Sequence, residues 1–194
     1  MPIFSFLIVI FWLFFLAYWL ISAASAKRTI SRPWSQAYYF RIIIIVILVI
    51  FFRFFDVSLG NDVLQSVGIF GFILGSPLLG LIGVIVCALG IAFAIWARVY
   101  LGKNWGMPMS VKENRELVIG GPYAYVRHPI YTGFLIAMFG SIFVNGVFWF
   151  IAFVVTGIYF IFSAKIEEKM LTKEFPNEYP EYKKRTKMLI PFIF

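Results

Sequence analysis

The chain has little of what most chemical sites are built from. Of its 194 residues one is cysteine and one is histidine, so no disulfide can close within it and a zinc cluster is excluded. No metal site is expected. Cys87 sits inside an apolar run and reads as a packing residue. Charge is scarce as well: 13% of residues are charged, nine acidic against seventeen basic. No soluble domain of this length has that composition. What is there instead is apolar. Hydrophobic residues make up 62% of the chain and the mean hydropathy is +0.91, in runs long enough to span lipid. The net charge of +8 raises nucleic acid as a partner. The basic residues, however, cluster beside the apolar runs, where membrane topology and anionic headgroups account for them. No nucleic-acid partner is expected, and the sequence carries no internal repeat or low-complexity segment.

These runs predict an all-α integral membrane protein with five transmembrane helices. Residues 3–24 form the first. Ala24-Ser25-Ala26 resembles a signal-peptide cleavage site, but nothing basic precedes the run and it is too long for the apolar core of a signal, so it is read as a retained span. Residues 38–55 form the second, with Arg41 and Arg53 near its ends, where long side chains reach back to the interface. The connection 56–77 holds no lysine or arginine. Its middle, 67–75, is either a short interfacial helix or the start of span three, which covers 78–96. Residues 130–162 are apolar throughout except at Asn145-Gly146. One helix of that length would measure about 50 Å, too long for a bilayer. Asn-Gly is a turn signal, so the run reads as a tight helical hairpin with arms of roughly sixteen residues each. The basic segments 27–41, 98–127 and 165–187 then fall on one side, which puts the N-terminus outside and the C-terminal tail in the cytoplasm, at the cell membrane if the chain is prokaryotic. The chain divides into spans one to three over 1–97 and a region over 98–194 that holds the polar loop, the hairpin and the tail.

The most informative stretch is 120–133, GGPYAYVRHPIYTG. Two glycines before Pro122 signal a tight turn. His128 precedes proline and is steered away from helix, whereas Pro129 suits the first position of one. The motif thus sets a cation, an imidazole and unpaired helix N–H groups at the membrane surface, where an anion could be held. A loop whose basic residues merely anchor a span is the plainer alternative. Beyond the hairpin come Glu167 and Glu168. They are either a solvated helix end balanced by Lys165 and Lys169 or a carboxylate pair with one member on a ligand amine or hydroxyl. The following Tyr179 and Tyr182, among lysines and arginine, could simply be an interfacial anchor. Motif and tail flank one hairpin on one side, so they should meet.

In this order Gly121-Pro122-Tyr123, Arg127-His128-Pro129-Ile130-Tyr131-Thr132-Gly133, Glu167-Glu168, Tyr179, Tyr182 and Pro191 resemble the isoprenylcysteine carboxyl methyltransferase family. The likeness covers roughly 98–194, which it implies is the catalytic and cofactor-binding region. One departure is Pro176, where the family often has glycine after the phenylalanine. The resemblance implies methyl transfer from S-adenosylmethionine, with S-adenosylhomocysteine as product, to a lipidic or prenylated acceptor drawn from the bilayer. That acceptor would be the C-terminal carboxylate of an isoprenylated cysteine. It further implies that Glu116, Leu117 and Val118 line the adenosine side, that Tyr123 closes over the cofactor, that His128, Pro129, Ile130 and Tyr131 form the pocket wall, and that Glu167 binds a polar part of the cofactor. No G-x-G-x-x-G follows a strand, which agrees with a nucleotide site built from helix ends.

Methylating a carboxylate needs no general base, because the nucleophile is ionised at pH 7. It needs a cation to orient the acceptor, a carboxylate for the cofactor amine, and a dry site. Arg98, at the end of span three, is the candidate orienting cation, with a plain topology anchor as its alternative. Gly133, Ala137 and Gly140 allow either close helix packing or a gap for lipid. The alternative activity is phospholipid N-methylation, whose amine must lose a proton. An NADPH-dependent sterol-type reductase and a non-enzymatic membrane scaffold are readings of a different class.

Overall fold

The computed structural model describes residues 2–23, 29–31, 76–105, 111–112 and 116–193. Five α-helices carry the described chain: α1 Pro2–Ala23, α2 Pro77–Leu101, α3 Pro129–Asn145, α4 Val147–Glu174 and α5 Glu178–Arg185. A short antiparallel pairing of β1 Thr29–Ser31 with β2 Val111–Lys112 is the sheet among the described residues. Helices α1, α2 and α4 are long and apolar enough to cross a membrane, and α3 is a shorter apolar helix. This is an integral membrane protein. The expected first and third spans correspond to α1 and α2, while the expected span 38–55 and the segment 67–75 lie outside the described residues.

Local chemistry sets the helix ends. Ser76 caps α2 by accepting from the Leu79 amide at 3.4 Å, with Pro77 at the first helical position. Pro129 opens α3, and His128 before it stands outside helical space at φ −125°, ψ 59°. At the hairpin the whole turn is one residue, Gly146, with φ 75° and ψ −147°. A side chain is disfavoured at that φ. The Gly146 amide bonds Ile142 O at 2.8 Å and its carbonyl accepts from Trp149 at 3.1 Å, so both arms are tied at the joint.

The second arm departs from expectation. It does not end near residue 162 but runs unbroken for 28 residues to Glu174, about 42 Å. The segment 163–174 is rich in lysine, glutamate, alanine, leucine and methionine, good helix formers, and the first proline beyond it is Pro176. Glu167 and Glu168 therefore project from a rigid helix and not from the coil after it.

Helices α2 and α3 meet backbone to backbone. A Cβ on Gly90 would lie 2.3 Å from the Ala137 nitrogen, and one on Gly140 would lie 2.4 Å from the Cys87 nitrogen. A Cβ on Gly133 would approach Ala94 N at 2.6 Å. The small residues of α3 thus serve close packing, not a gap. Cys87 is buried in this seam, in contact with Ser141, whose hydroxyl donates to Ala137 O at 2.9 Å and accepts from Trp12 of α1 at 3.1 Å. Trp12 also stacks on Trp149 of α4, with centroids 5.2 Å apart. One tryptophan joins α1 to both hairpin arms.

Gly140→Leu should force the α2–α3 seam apart, costing about 1–3 kcal/mol or more. Gly157→Ala, whose added Cβ meets only Leu135 Cδ2 at 3.8 Å, should leave stability unchanged. Thermal unfolding in detergent micelles checks both; equal melting temperatures for the two variants would contradict the seam.

Candidate functional site

The motif folds as a turn followed by a helix start. Gly121, at φ 58°, opens a 3-10 turn over Gly121–Ala124, and a Cβ there would also strike the Tyr100 ring at 2.6 Å. The turn buries Pro122 and Tyr123, and Val126, His128 and Pro129 are buried after it.

The tail meets this motif, as its place on the same side of the hairpin suggests. Arg127 N donates to Lys187 O at 2.8 Å and His128 N to Met188 O at 3.1 Å. One turn into α3, the Thr132 hydroxyl donates to Leu189 O at 2.7 Å. The Tyr182 hydroxyl donates to Tyr123 O at 2.6 Å. Tyr179 and Tyr182 are buried, not interfacial, and burial pushes both hydroxyls above the usual tyrosine range, so they remain neutral phenols.

The two glutamates divide their work. Glu168, with a side chain 4% exposed, takes Arg127 Nε at 2.6 Å on one oxygen and Lys183 Nζ at 2.7 Å on the other. Arg127 also donates to the Thr186 carbonyl. This buried cluster joins motif, α4 and tail, and its surplus positive charge offsets the desolvated carboxylate. Glu167 faces the other way: its Oε1 accepts the Tyr131 hydroxyl at 2.6 Å, and Oε2 lies 3.6 Å from His128 Nδ1. The rings of His128, Tyr131 and Phe160 stack in sequence, 5.4 and 4.3 Å between centroids, with interplanar angles of 6° and 8°.

These groups border a cavity of about 340 Å³. Of the nine residues the sequence singles out for a cofactor, eight line it: Glu116, Leu117, Val118, Tyr123, His128, Ile130, Tyr131 and Glu167. Pro129 is not among the lining residues; it is buried as the first residue of α3. Arg98 does not line the cavity either. It is buried at the end of α2, donating to Ser22 O of α1 at 2.5 Å and to Gly102 O at 2.8 Å, with its guanidinium 4.7 Å from the Trp105 ring centroid. The arginine lining the cavity is Arg127. The sequence reading also missed Phe15, Leu16 and Trp19 of α1, together with Asn104 and Trp105. Nothing in a uniformly apolar α1 marks which face meets a ligand. For the tyrosines a signal existed, since Tyr179 and Tyr182 stand three apart on a polar helix and share one face. Among the cavity residues the Tyr179 hydroxyl is buried without a hydrogen-bond partner, while His128 Nε2 lies 3.6 Å from Glu168 Oε1. Among the described residues no group of histidine, cysteine or carboxylates could hold a metal ion.

The fold and site define a class: a membrane-embedded helical protein with a largely apolar cavity, edged by a few polar groups, at one end of a helical hairpin. Residues 78–178, just over half the chain, match the phospholipid methyltransferase family model. The chain belongs to that family. Among curated relatives, the protein-S-isoprenylcysteine O-methyltransferase of Schizosaccharomyces pombe is 35% identical over 101 residues, covering 50% of this chain and 43% of the relative. The Saccharomyces cerevisiae protein of the same name is 27% identical over 146 residues, 73% and 61% of the two chains. Methanethiol S-methyltransferase 1 of Bradyrhizobium diazoefficiens is 42% identical over 71 residues, 36% and 24%. The chain thus spans a quarter to three fifths of the length of these relatives. A solved eukaryotic intramembrane Ras methyltransferase, an isoprenylcysteine carboxyl methyltransferase, shares the fold at a TM-score of 0.53 and 24% identity, covering 84% of this chain and 55% of the other.

Glu168→Ala should leave Arg127 buried without its carboxylate and destabilise tail docking by about 3–5 kcal/mol. Limited trypsin digestion would then cut at Lys183–Lys187 much faster than in the parent. Glu167→Ala should leave that rate unchanged; equal acceleration in both variants would contradict the division of roles.

Proposed function

We propose that this chain is an S-adenosylmethionine-dependent methyltransferase acting at the cytoplasmic membrane face on an apolar acceptor from the bilayer, the carboxylate of a prenylated cysteine being the preferred substrate. The observation that carries this reading is the convergence of three separate segments, 116–118, 123–131 and 167, on one cavity that apolar side chains of α1 also line. Its volume lies in the range of small-molecule sites. The residues suit the cofactor. Glu167, oriented by Tyr131, offers a carboxylate for an amine or ribose hydroxyls; the flat stack of His128, Tyr131 and Phe160 offers a wall for a purine; and the unpartnered Tyr179 hydroxyl offers a polar contact. When bound, the cofactor supplies an electrophilic methyl group on a sulfonium.

The chain's own part is position and dryness. An acceptor carboxylate needs no proton removed, so no base is required of His128. Phe15, Leu16 and Trp19 exclude water from the side where an acceptor would arrive. A dry cavity favours a reaction in which a cation and an anion become neutral. In this reading Arg127 is the cation beside the acceptor, and Arg98 is a positioning residue. By holding the end of α1 through Ser22, Arg98 keeps the apolar wall against the cavity. The N-terminus outside and tail inside complete the proposed five-span topology, which follows from the distribution of basic residues.

Glu167→Ala should weaken S-adenosylhomocysteine binding about tenfold or more, the loss of one charge-assisted hydrogen bond. Isothermal calorimetry with unchanged affinity would remove Glu167 from the site. Methyl transfer from labelled cofactor to a prenylated cysteine analogue should change little between about pH 6 and 9, where the acceptor carboxylate is already ionised. A rate climbing with pH and lost in His128→Gln would indicate proton removal from the acceptor and move the reading to phospholipid N-methylation.

A further inference from the structure

The chain leaves the site in a particular direction. Its backbone pairs first with Arg127 and His128 and then, at Leu189, with Thr132 inside the first turn of α3. From residue 187 to 189 it therefore descends along an apolar helix, away from the charged surface. Leu189 is buried against Tyr131 and Ala164, with Ile161 packed on the same cluster. That level on α4 is where exposed apolar residues, Ile158 and Phe162, give way to exposed charge at Lys165 and Lys169. It is the height of a membrane–water boundary.

Next along the chain are Ile190, Pro191, Phe192 and Ile193. Phe192 is 87% exposed, Ile193 75% and Ile190 49%. The three large side chains stand out together although Leu189 beside them is buried. The backbone holds them there: Ile193 N donates to Ile190 O at 3.2 Å, and Phe192 takes φ 66°, a left-handed conformation that a phenylalanine rarely adopts. An apolar tip held outward in a strained turn at the boundary height, with Lys187 exposed just above it, has the amphipathic arrangement of an interfacial anchor.

We propose that residues 190–193 insert into the interfacial layer of the bilayer on the side of the site, so that the membrane itself holds the tail against the motif. The occupant is lipid, because Leu189, immediately before the tip, packs on α4 at the level where its exposed side chains change from apolar to charged. Tyr179 and Tyr182, which line the cavity, and Lys183, which pairs with Glu168, reside on the tail anchored this way. The site is thereby complete only on a membrane.

The test does not depend on the enzymatic reading. A single cysteine at Phe192→Cys is labelled with an environment-sensitive fluorophore, and the full chain is reconstituted in phosphatidylcholine–phosphatidylglycerol vesicles with or without lipids carrying a quencher in the upper acyl chain. The parent chain, whose one cysteine is buried, is the blank, and Asn177→Cys, exposed on the same tail, is the aqueous control. The expected result is emission shifted to the blue at 192, roughly twofold or greater quenching by the lipid-borne quencher, and protection from iodide, with the reverse at 177. Iodide quenching at 192 equal to that at 177 would overturn the proposal. Protection from both quenchers would also overturn it, because the tip would then be covered by protein, such as a second copy of the chain.

Discussion

Everything at the site depends on how closely α2 and α3 approach. Gly90, Gly133 and Gly140 leave no room for even one carbon between the two backbones, and this fixes the start of α3 relative to the end of α2. The cavity draws from both places, Leu101 at the end of α2 with Asn104 and Trp105 after it, and His128, Ile130 and Tyr131 at the start of α3. Without a hydrophobic driving force between helices in lipid, dispersion contact at such a seam is what holds a bundle together. A shift of one helix by an ångström would therefore change the cavity as much as a substitution in its wall.

The second constraint is electrostatic. Glu168 is a buried carboxylate shared by Arg127 and Lys183. Such a cluster adds little net stability, since desolvation consumes most of the attraction, but breaking it is costly. Its effect is to set register. It joins the motif, the hairpin and the tail at one point, so that Tyr131 bonds Glu167 and Tyr182 bonds the Tyr123 carbonyl. The relatives are named for methyl transfer to different acceptors, isoprenylcysteine in one group and methanethiol in another. In this chain the Glu167 carboxylate and the Tyr131 and Tyr179 hydroxyls belong to cavity residues that stand beside apolar side chains of α1, α3 and α4.

Much of the architecture was legible because membrane helices announce themselves by composition. Helix α2 runs five residues past its expected end at 96, but the limits of α1, the start of α2, the hairpin turn at Gly146 and the helix start at Pro129 all follow from apolar run length, Asn-Gly and the proline rule. The end of α4 did not, because residues 163–174 change from apolar to charged without a helix breaker, and polarity was taken for the end of the helix. That His128, Tyr131 and Glu167 would meet was legible from their order around one hairpin, and they line one cavity; their roles there are what the family resemblance implies. Arg98 was drawn into the site by its charge at a span end, but its donors go to the carbonyls of Ser22 and Gly102. A sequence shows where a cation is but not which carbonyls are near it. The contribution of Phe15 and Trp19 was invisible for the opposite reason: on a helix apolar all round, no residue type distinguishes a cavity wall from a lipid-facing surface.

The central claim is that motif, hairpin and tail enclose a site for a methyl-donor nucleoside. The most direct measurement is an experimental structure of the purified chain in lipid nanodiscs with S-adenosylhomocysteine. The account predicts ligand density in the cavity bordered by Tyr123, Tyr131 and Glu167, with the Glu167 carboxylate on a polar group of the ligand. A saturated complex with the nucleoside bound elsewhere, or that cavity filled by a lipid chain alone, would contradict it.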